Sequence, residues 1–128
     1  MEQGCHAVNQ KTSLTFYAYK STMRMTPALL SQMGNPSHLQ FLYDKQCKLF
    51  FIRPAEPDDR DAVCVADFAK GLTLRRKRFL GLVYRIAGWH TGLSYDVPGT
   101  YMREDNAFRF DLKRYDIVWR GKKIFVLV

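Results

Sequence analysis

The chain has 128 residues, 47% of them hydrophobic, which is enough for one domain with a buried core. No apolar run approaches the roughly 20 residues of a membrane-spanning helix, and the polar start lacks the apolar segment of a signal peptide. The three cysteines are odd in number and form no Cys-x-x-Cys pair, which argues against a disulfide framework and favours a cytoplasmic location.

The net charge of +8 is concentrated in the second half of the sequence. Residues 1–64 contain seven Lys/Arg and six Asp/Glu, a net charge of +1, whereas residues 65–128 contain thirteen against six, a net charge of +7. A strongly basic half in a small domain indicates a polyanionic partner, often nucleic acid. A basic surface that only aids solubility is the alternative.

The first elements in chain order are a tail, an extended segment and a short helix. Residues 1–12 are predicted to be a loose polar tail, and residues 14–25 read as one extended segment with a kink. Thr26 suits the N-cap of a helix and Pro27 its first position. Gly34 predicts the end of this helix, because glycine readily adopts the left-handed conformation found there.

A hairpin and a linker follow the first helix. Apolar residues alternate over residues 39–43 and 48–53, which predicts two strands joined by a polar turn. The acidic, proline-containing residues 55–61 form the best linker candidate in the chain. Residues 62–68 then predict a short apolar strand.

The second half repeats this order of elements. A basic run, residues 75–78 (RRKR), leads into an amphipathic helix over residues 79–87, and Gly88 ends that helix. Further strands are predicted at residues 93–97, 108–112, 115–119 and 122–128, the last two joined by a turn at Arg120 and Gly121. Strands begin five residues after Gly34 and five residues after Gly88, so the halves share one plan.

These patterns predict one α+β domain over residues 1–128, with a first half at 13–61 and a second half at 62–128. We expect two short helices and roughly seven to nine strands in a compact barrel-like sheet, built from two pseudo-symmetric helix-hairpin halves. The residues expected to be mostly buried are Phe41, Phe51, Leu82, Val83, Ile86, Phe108 and Phe110.

The segment from Met25 to Pro54 resembles the core of the AbrB/MazE-type swapped-hairpin proteins. Thr26–Pro27, Met33–Gly34 and Ile52–Arg53–Pro54 match that family's helix start, helix end and strand close in type and approximate spacing. Ser37–His38 departs from the family, which usually has a Gly-Asp turn there. The resemblance covers about 30 residues, and as a whole the chain also resembles small uncharacterised bacterial proteins with a similar Gly-Asn-Pro segment.

The resemblance implies DNA binding by basic residues on strands and loops that precede the helix, in dimers or in one chain holding two copies. Carried onto this sequence, the implied contacts are Lys20, Arg24, Lys70, Arg75, Arg76, Lys77 and Arg78. The residues themselves indicate the same function. Four adjacent cations repel one another and the positive end of the helix, and a bound phosphate would reduce that repulsion. An exposed turn without a role is the alternative.

Signs of enzymatic chemistry are weak. The acidic cluster Asp58, Asp59 and Asp61 could hold a metal ion, but a solvated linker explains it better. No phosphate-binding loop, nucleophile motif or HExxH motif is present, and no cofactor is expected. Cys47 and Cys64 lie in apolar stretches and are predicted to be buried and inert.

Three functions remain, in descending order. The first is a non-enzymatic DNA-binding protein, a small bacterial transcriptional regulator or an antitoxin-like protein that forms a homodimer. The second is a protein-interaction or structural accessory module, favoured by an exposed apolar strand edge. The third is a small hydrolase or nuclease, favoured by a cleft lined with Asp or His.

Overall fold

The structure is a computed structural model that describes residues 11–119 and 122–124. Its strands are β1 (Ser13–Tyr17), β2 (Thr22–Met25), β3 (His38–Asp44), β4 (Leu49–Pro54), β5 (Val63–Cys64), β6 (Thr73–Arg75), β7 (Ser94–Met102), β8 (Ala107–Asp111), β9 (Asp116–Trp119) and β10 (Lys122–Ile124). Its helices are α1 (Pro27–Gln32) and α2 (Lys77–Ala87). Single 3-10 turns cover Ala18–Lys20, Val65–Asp67 and Arg103–Asp105. Residues 1–10 of the predicted tail, the predicted turn at Arg120–Gly121 and residues 125–128 of the predicted last strand lie outside the described residues.

The fold is α+β, with one strongly curled antiparallel sheet that forms a half-barrel. Eight strands follow the order β5-β3-β4-β8-β7-β1-β2-β6, and β9 and β10 extend the sheet beside β7. The chain runs directly from one edge, β5, to the other, β6, through residues 65–72. A flat sheet would hold those edges roughly 34 Å apart. The nine Cα–Cα steps from Cys64 to Thr73 span about 32 Å at most, and the 3-10 turn at Val65–Asp67 and the Ala69–Thr73 bridge shorten that reach further. The sheet must therefore curl.

Two predicted elements were wrong in detail. Residues 14–25 form the β1–β2 hairpin and not one kinked strand, because the chain reverses at Ala18–Lys20 and Ser21 adopts a left-handed conformation with φ of 53°. In the predicted strand at residues 62–68, only Val63–Cys64 pairs with β3, and the chain then enters a 3-10 turn. The described residues contain ten strands as a result, more than the seven to nine expected.

The predicted helix ends are confirmed, but α2 begins at Lys77, two residues before the predicted start at Phe79. Thr26 is the N-cap of α1, although its hydroxyl accepts the N–H of Ser13 at 3.0 Å and does not cap the helix. Gly34 and Gly88 follow the two helices with φ of 91° and 75°. An antiparallel hairpin follows each helix, β3–β4 after α1 and β7–β8 after α2. The second hairpin differs from the first. The first half of β7 pairs with β1 and β9, and only its second half pairs with β8.

The core fills the concave side of the half-barrel. Of the predicted core residues, Val83, Ile86, Phe108 and Phe110 are buried, but Phe41, Phe51 and Leu82 are only half-buried. Phe51 lies opposite Leu42 and Arg109 on the outer face, because its neighbour Phe50 points inward. Phe50 is 2% exposed and contacts the rings of Phe16, Phe41, Phe79 and Phe110.

Tyr84 attaches α2 to the sheet. Its hydroxyl accepts the N–H of Ala18 at 3.2 Å and donates to the carbonyl of Leu93 at 2.7 Å, with the carbonyl of Phe16 also at 3.2 Å. Burial raises the pKa of Tyr84 well above its usual value. The helix is therefore fixed to the β1–β2 turn and to the segment before β7.

Gly99 allows the bend at which β7 leaves β1 and joins β8. A Cβ at this position would lie 2.6 Å from the ring of Phe110, so no larger residue fits without movement. We expect Gly99→Ala to lower the free energy of unfolding by about 1–3 kcal/mol, as overpacking does. Gly81 of α2 is the matched control, since nothing lies within 4 Å of its added Cβ. There, alanine should raise stability by about 1 kcal/mol.

Urea denaturation of both glycine variants measures these opposite effects. If Gly99→Ala were as stable as the wild-type protein, β7 would not lie as close to the ring of Phe110 as the structure places it.

Candidate nucleic-acid interface

Arg24 and Arg75 lie on the outer face of the β2–β6 edge of the sheet. Arg75 is paired with Thr22, and Arg24 is paired with Thr73. The alternate residues Met23, Met25 and Leu74 are buried, so both arginines face away from the core. Diagonal neighbours on adjacent antiparallel strands have Cα atoms about 7–8 Å apart. Both guanidinium groups can thus reach one ligand.

The junction between β6 and α2 brings further cations to the same place. The N–H of Arg76 donates to the carbonyl of Ser21 at 3.1 Å, which holds the turn carrying Lys20 against the start of α2. Lys77 and Arg78 form the first turn of the helix and are exposed. Lys70 lies on the turn closed by the Ala69–Thr73 bridge, at the other end of β6. Six of the seven predicted residues therefore lie on adjoining elements, and Lys70 lies at the far end of β6.

All seven cations are exposed, and within the described part of the chain none forms an ion pair. Three other cations of the described chain do form ion pairs: Lys113 and Arg114 lie 3.1 and 3.9 Å from the carboxylate of Asp111, and Lys11 lies 2.9 Å from Asp96. Further exposed cations, such as Arg103 and Arg109, form none with a described residue, so what sets the predicted residues apart is their number on adjoining elements. An unpaired cluster keeps a positive potential over its surface. Anions are the ligands that this surface can attract.

The exposed face of α2 extends the basic surface. Lys77, Arg78, Gly81 and Arg85 are exposed, and α2 contains no acidic residue. Arg85 was not among the predicted site residues, although its spacing of seven residues from Arg78 and eight from Lys77 places it on their face. Gly81 has no side chain to cover the backbone between these cations, so a ligand can approach the helix closely there.

An exposed tyrosine lies beside the cations. Tyr19 is 70% exposed, and the Nζ of Lys20 lies 5.4 Å from its ring centroid and 5.9 Å from that of Tyr17. The sequence favoured packing within the sheet for the tyrosines, which fits Tyr95 but not Tyr19. Exposed rings beside cations can stack on bases as well as attract phosphates.

The acidic and cysteine residues are the other candidates for chemistry that the sequence offered. They include no group of three or more His, Cys, Asp or Glu side chains that could hold a metal ion. The carboxylates of Asp58, Asp59 and Asp61 are exposed on their loop. Cys47 is exposed in the β3–β4 turn, so its predicted burial was wrong, and Cys64 is half-buried. In the same part of the chain, no helix has the length and apolar character that crossing a membrane requires.

Comparison with protein-family models, with curated proteins and with solved structures finds no match to this chain in any of the three. Its functional assignment rests on the half-barrel and on the basic surface formed by the 3-10 turn at Ala18–Lys20, the β2–β6 edge and α2.

Proposed function

We propose that the protein is a non-enzymatic DNA-binding protein, a small transcriptional regulator or antitoxin-like protein. The observation that carries this proposal is the basic surface, where eight exposed cations lie on adjoining elements and form no ion pair with another described residue. These are Lys20, Arg24, Lys70, Arg75, Arg76, Lys77, Arg78 and Arg85.

Phosphate contacts would supply most of the affinity. Each cation that neutralises a DNA phosphate releases condensed counterions, which favours binding. The first turn of α2 adds backbone donors, because its N-cap residue, Arg76, makes no side-chain capping hydrogen bond. A phosphate at this place would meet both the unsatisfied N–H groups and the surrounding cations.

Specificity would come from groups that reach the base edges. The bare backbone at Gly81 lets α2 lie close to a DNA strand, and Tyr19 and Arg24 project from neighbouring elements. Phosphate contacts fix the register of the protein on DNA, whereas sequence is read by contacts within the grooves.

The resemblance to swapped-hairpin proteins supports the same function. It also suggests that two similar units of structure are related by symmetry. Both helices end at a glycine with positive φ and precede antiparallel hairpins. We infer that the units at 13–61 and 62–128 are related by an approximate two-fold axis, as two copies within one chain, or that the protein acts as a homodimer.

The proposal is tested by removing two cations from the basic surface and, as a control, two cations from elsewhere on the protein. We expect the double variant Lys77→Gln/Arg78→Gln to bind a labelled 20-base-pair duplex more weakly, with a salt slope reduced by about 1.8 because each lost contact removes about 0.9. The control is Arg103→Gln/Arg109→Gln, which removes two exposed cations that lie away from the β2–β6 edge. Fluorescence anisotropy measures both. Equal loss in the two double variants would indicate nonspecific attraction and contradict the proposed surface.

A protein-interaction module is the second candidate, and one observation favours it. Strand β5 pairs only with His38 and Leu39, so among the described strands the rest of β3 has one open edge. Leu42 and Tyr43 on this strand are 36% and 52% exposed. A partner strand can add to such an edge. Self-association in sedimentation velocity, combined with no affinity for nucleic acid, would favour this function.

A further inference from the structure

A cavity of about 230 Å³ opens between α2 and the two edges of the half-barrel. Its walls are mostly apolar. The rings of Phe41, Phe50 and Phe79 form one wall, with centroids 5.2 to 5.8 Å apart. Leu82, Val83 and Ile86 from α2 form another. Phe41, Phe79 and Leu82 are half-buried because one side of each faces this cavity.

Two charged side chains line the same cavity. Arg76 comes from the start of α2, and Asp61 comes from the loop before β5. Both residues are exposed, and no ion pair joins them to each other. The lining thus offers one cation and one anion, and of the two only Arg76 presents hydrogen-bond donors to an anionic ligand. An apolar cavity with a few convergent polar groups is the usual form of a small-molecule site.

We propose that this cavity binds a small aromatic carboxylate. The rings of the ligand would pack against Phe41, Phe50 and Phe79, because offset and tilted aromatic pairs are favourable at these separations. The carboxylate would accept hydrogen bonds from the guanidinium of Arg76, whose forked geometry matches it. At 230 Å³ the cavity is below the roughly 300–1,000 Å³ of drug-sized sites. A ligand of one or two rings therefore fits.

This inference goes beyond DNA binding but shares one residue with it. Arg76 belongs both to the basic surface and to the lining of the cavity. A bound carboxylate would occupy the Arg76 side chain and remove one phosphate contact. The small molecule would then weaken DNA binding, as a regulatory ligand does.

Isothermal titration calorimetry with 2-naphthoate tests the cavity. We expect saturable binding of one molecule per chain, and binding at least about tenfold weaker for the neutral isostere 2-naphthamide, which lacks the charge for Arg76. Arg76→Gln should reduce naphthoate affinity by a similar factor. Arg78→Gln, which removes an equal charge two residues away and does not line the cavity, should leave it unchanged. Leu82→Phe should also weaken binding by filling the cavity.

The outcomes separate the two proposals. If 2-naphthoate does not bind, or binds as well to Arg76→Gln as to the wild-type protein, the cavity proposal is overturned while DNA binding is unaffected. If 2-naphthoate binds as expected and the protein has no affinity for DNA, only the proposed function fails. Equal affinity for 2-naphthoate and 2-naphthamide would overturn the role of Arg76.

Discussion

Phe50→Ala is expected to lower the free energy of unfolding by about 3–5 kcal/mol, the range for a large aromatic residue removed from a core. Phe50 is 2% exposed and contacts four other aromatic rings, so its loss leaves a void between β4 and α2 that those rings cannot close. Urea denaturation followed by circular dichroism measures the effect. A loss this large is a substantial part of the stability of a small domain.

The adjacent residue provides the control. Phe51 is half-buried on the outer face, opposite Arg109, so Phe51→Ala should cost about 1 kcal/mol, as an average substitution does. The two variants remove the same side chain from neighbouring positions and differ only in the direction it points. If Phe51→Ala were the more destabilising of the two, the register of β4 with β8 would be shifted by one residue.

Tyr84→Phe is expected to have the second large effect. The substitution leaves the N–H of Ala18 without its acceptor and the carbonyl of Leu93 without its donor. Both groups are partly buried, so leaving each one unsatisfied costs up to the roughly 1–3 kcal/mol of a fully buried group. Removing this one oxygen atom should therefore destabilise the protein more than its small volume suggests. The melting temperatures of the variant and the wild-type protein at pH 7 measure the loss.

The pH dependence of stability distinguishes this role from simple packing. Burial raises the pKa of Tyr84, so above pH 10 the unfolded chain loses this proton while the folded chain keeps it. The stabilisation is complete below about pH 10 and is lost as the pH rises toward the pKa of the folded state. Above pH 10 the wild-type protein should lose stability from this group as the pH rises, at most about 1.4 kcal/mol per pH unit for one proton. In Tyr84→Phe that contribution should be absent, and an identical pH profile for both proteins would contradict it.

Helix ends were predictable because the residues that determine them are local. Thr26 and Pro27 define the start of α1, and Gly34 and Gly88 adopt the positive φ that few other residues tolerate. Alternating apolar residues likewise identified β3, β4 and β8. These features depend on a few neighbouring residues and not on the tertiary fold.

The orientation of β4 was not predicted correctly, because Phe50 and Phe51 are both apolar and alternation alone does not say which one faces the core. Arg53 carried the missing information, since it is exposed and lies two residues from Phe51 on the same face. The hairpin within residues 14–25 was missed for a related reason. It turns at Ser21 without a glycine or proline.

The candidate site was predictable only where its residues are adjacent in the sequence. The run at residues 75–78 is visible as four consecutive cations. Arg85 joins them through helical spacing, and the aromatic cavity exists only because the half-barrel brings β3, β4 and α2 together. Long-range juxtapositions of this kind have no local sequence pattern.

The salt dependence of DNA affinity tests the proposed function most directly. The dissociation constant of the wild-type protein for a 20-base-pair duplex should be measured by fluorescence anisotropy between 50 and 200 mM salt. If six to eight of the basic residues contact phosphates, the plot of log affinity against log salt should have a slope of about −5.4 to −7.2, at about 0.9 per contact. A flat plot, or no binding to any nucleic acid at low ionic strength, would contradict DNA binding by this surface.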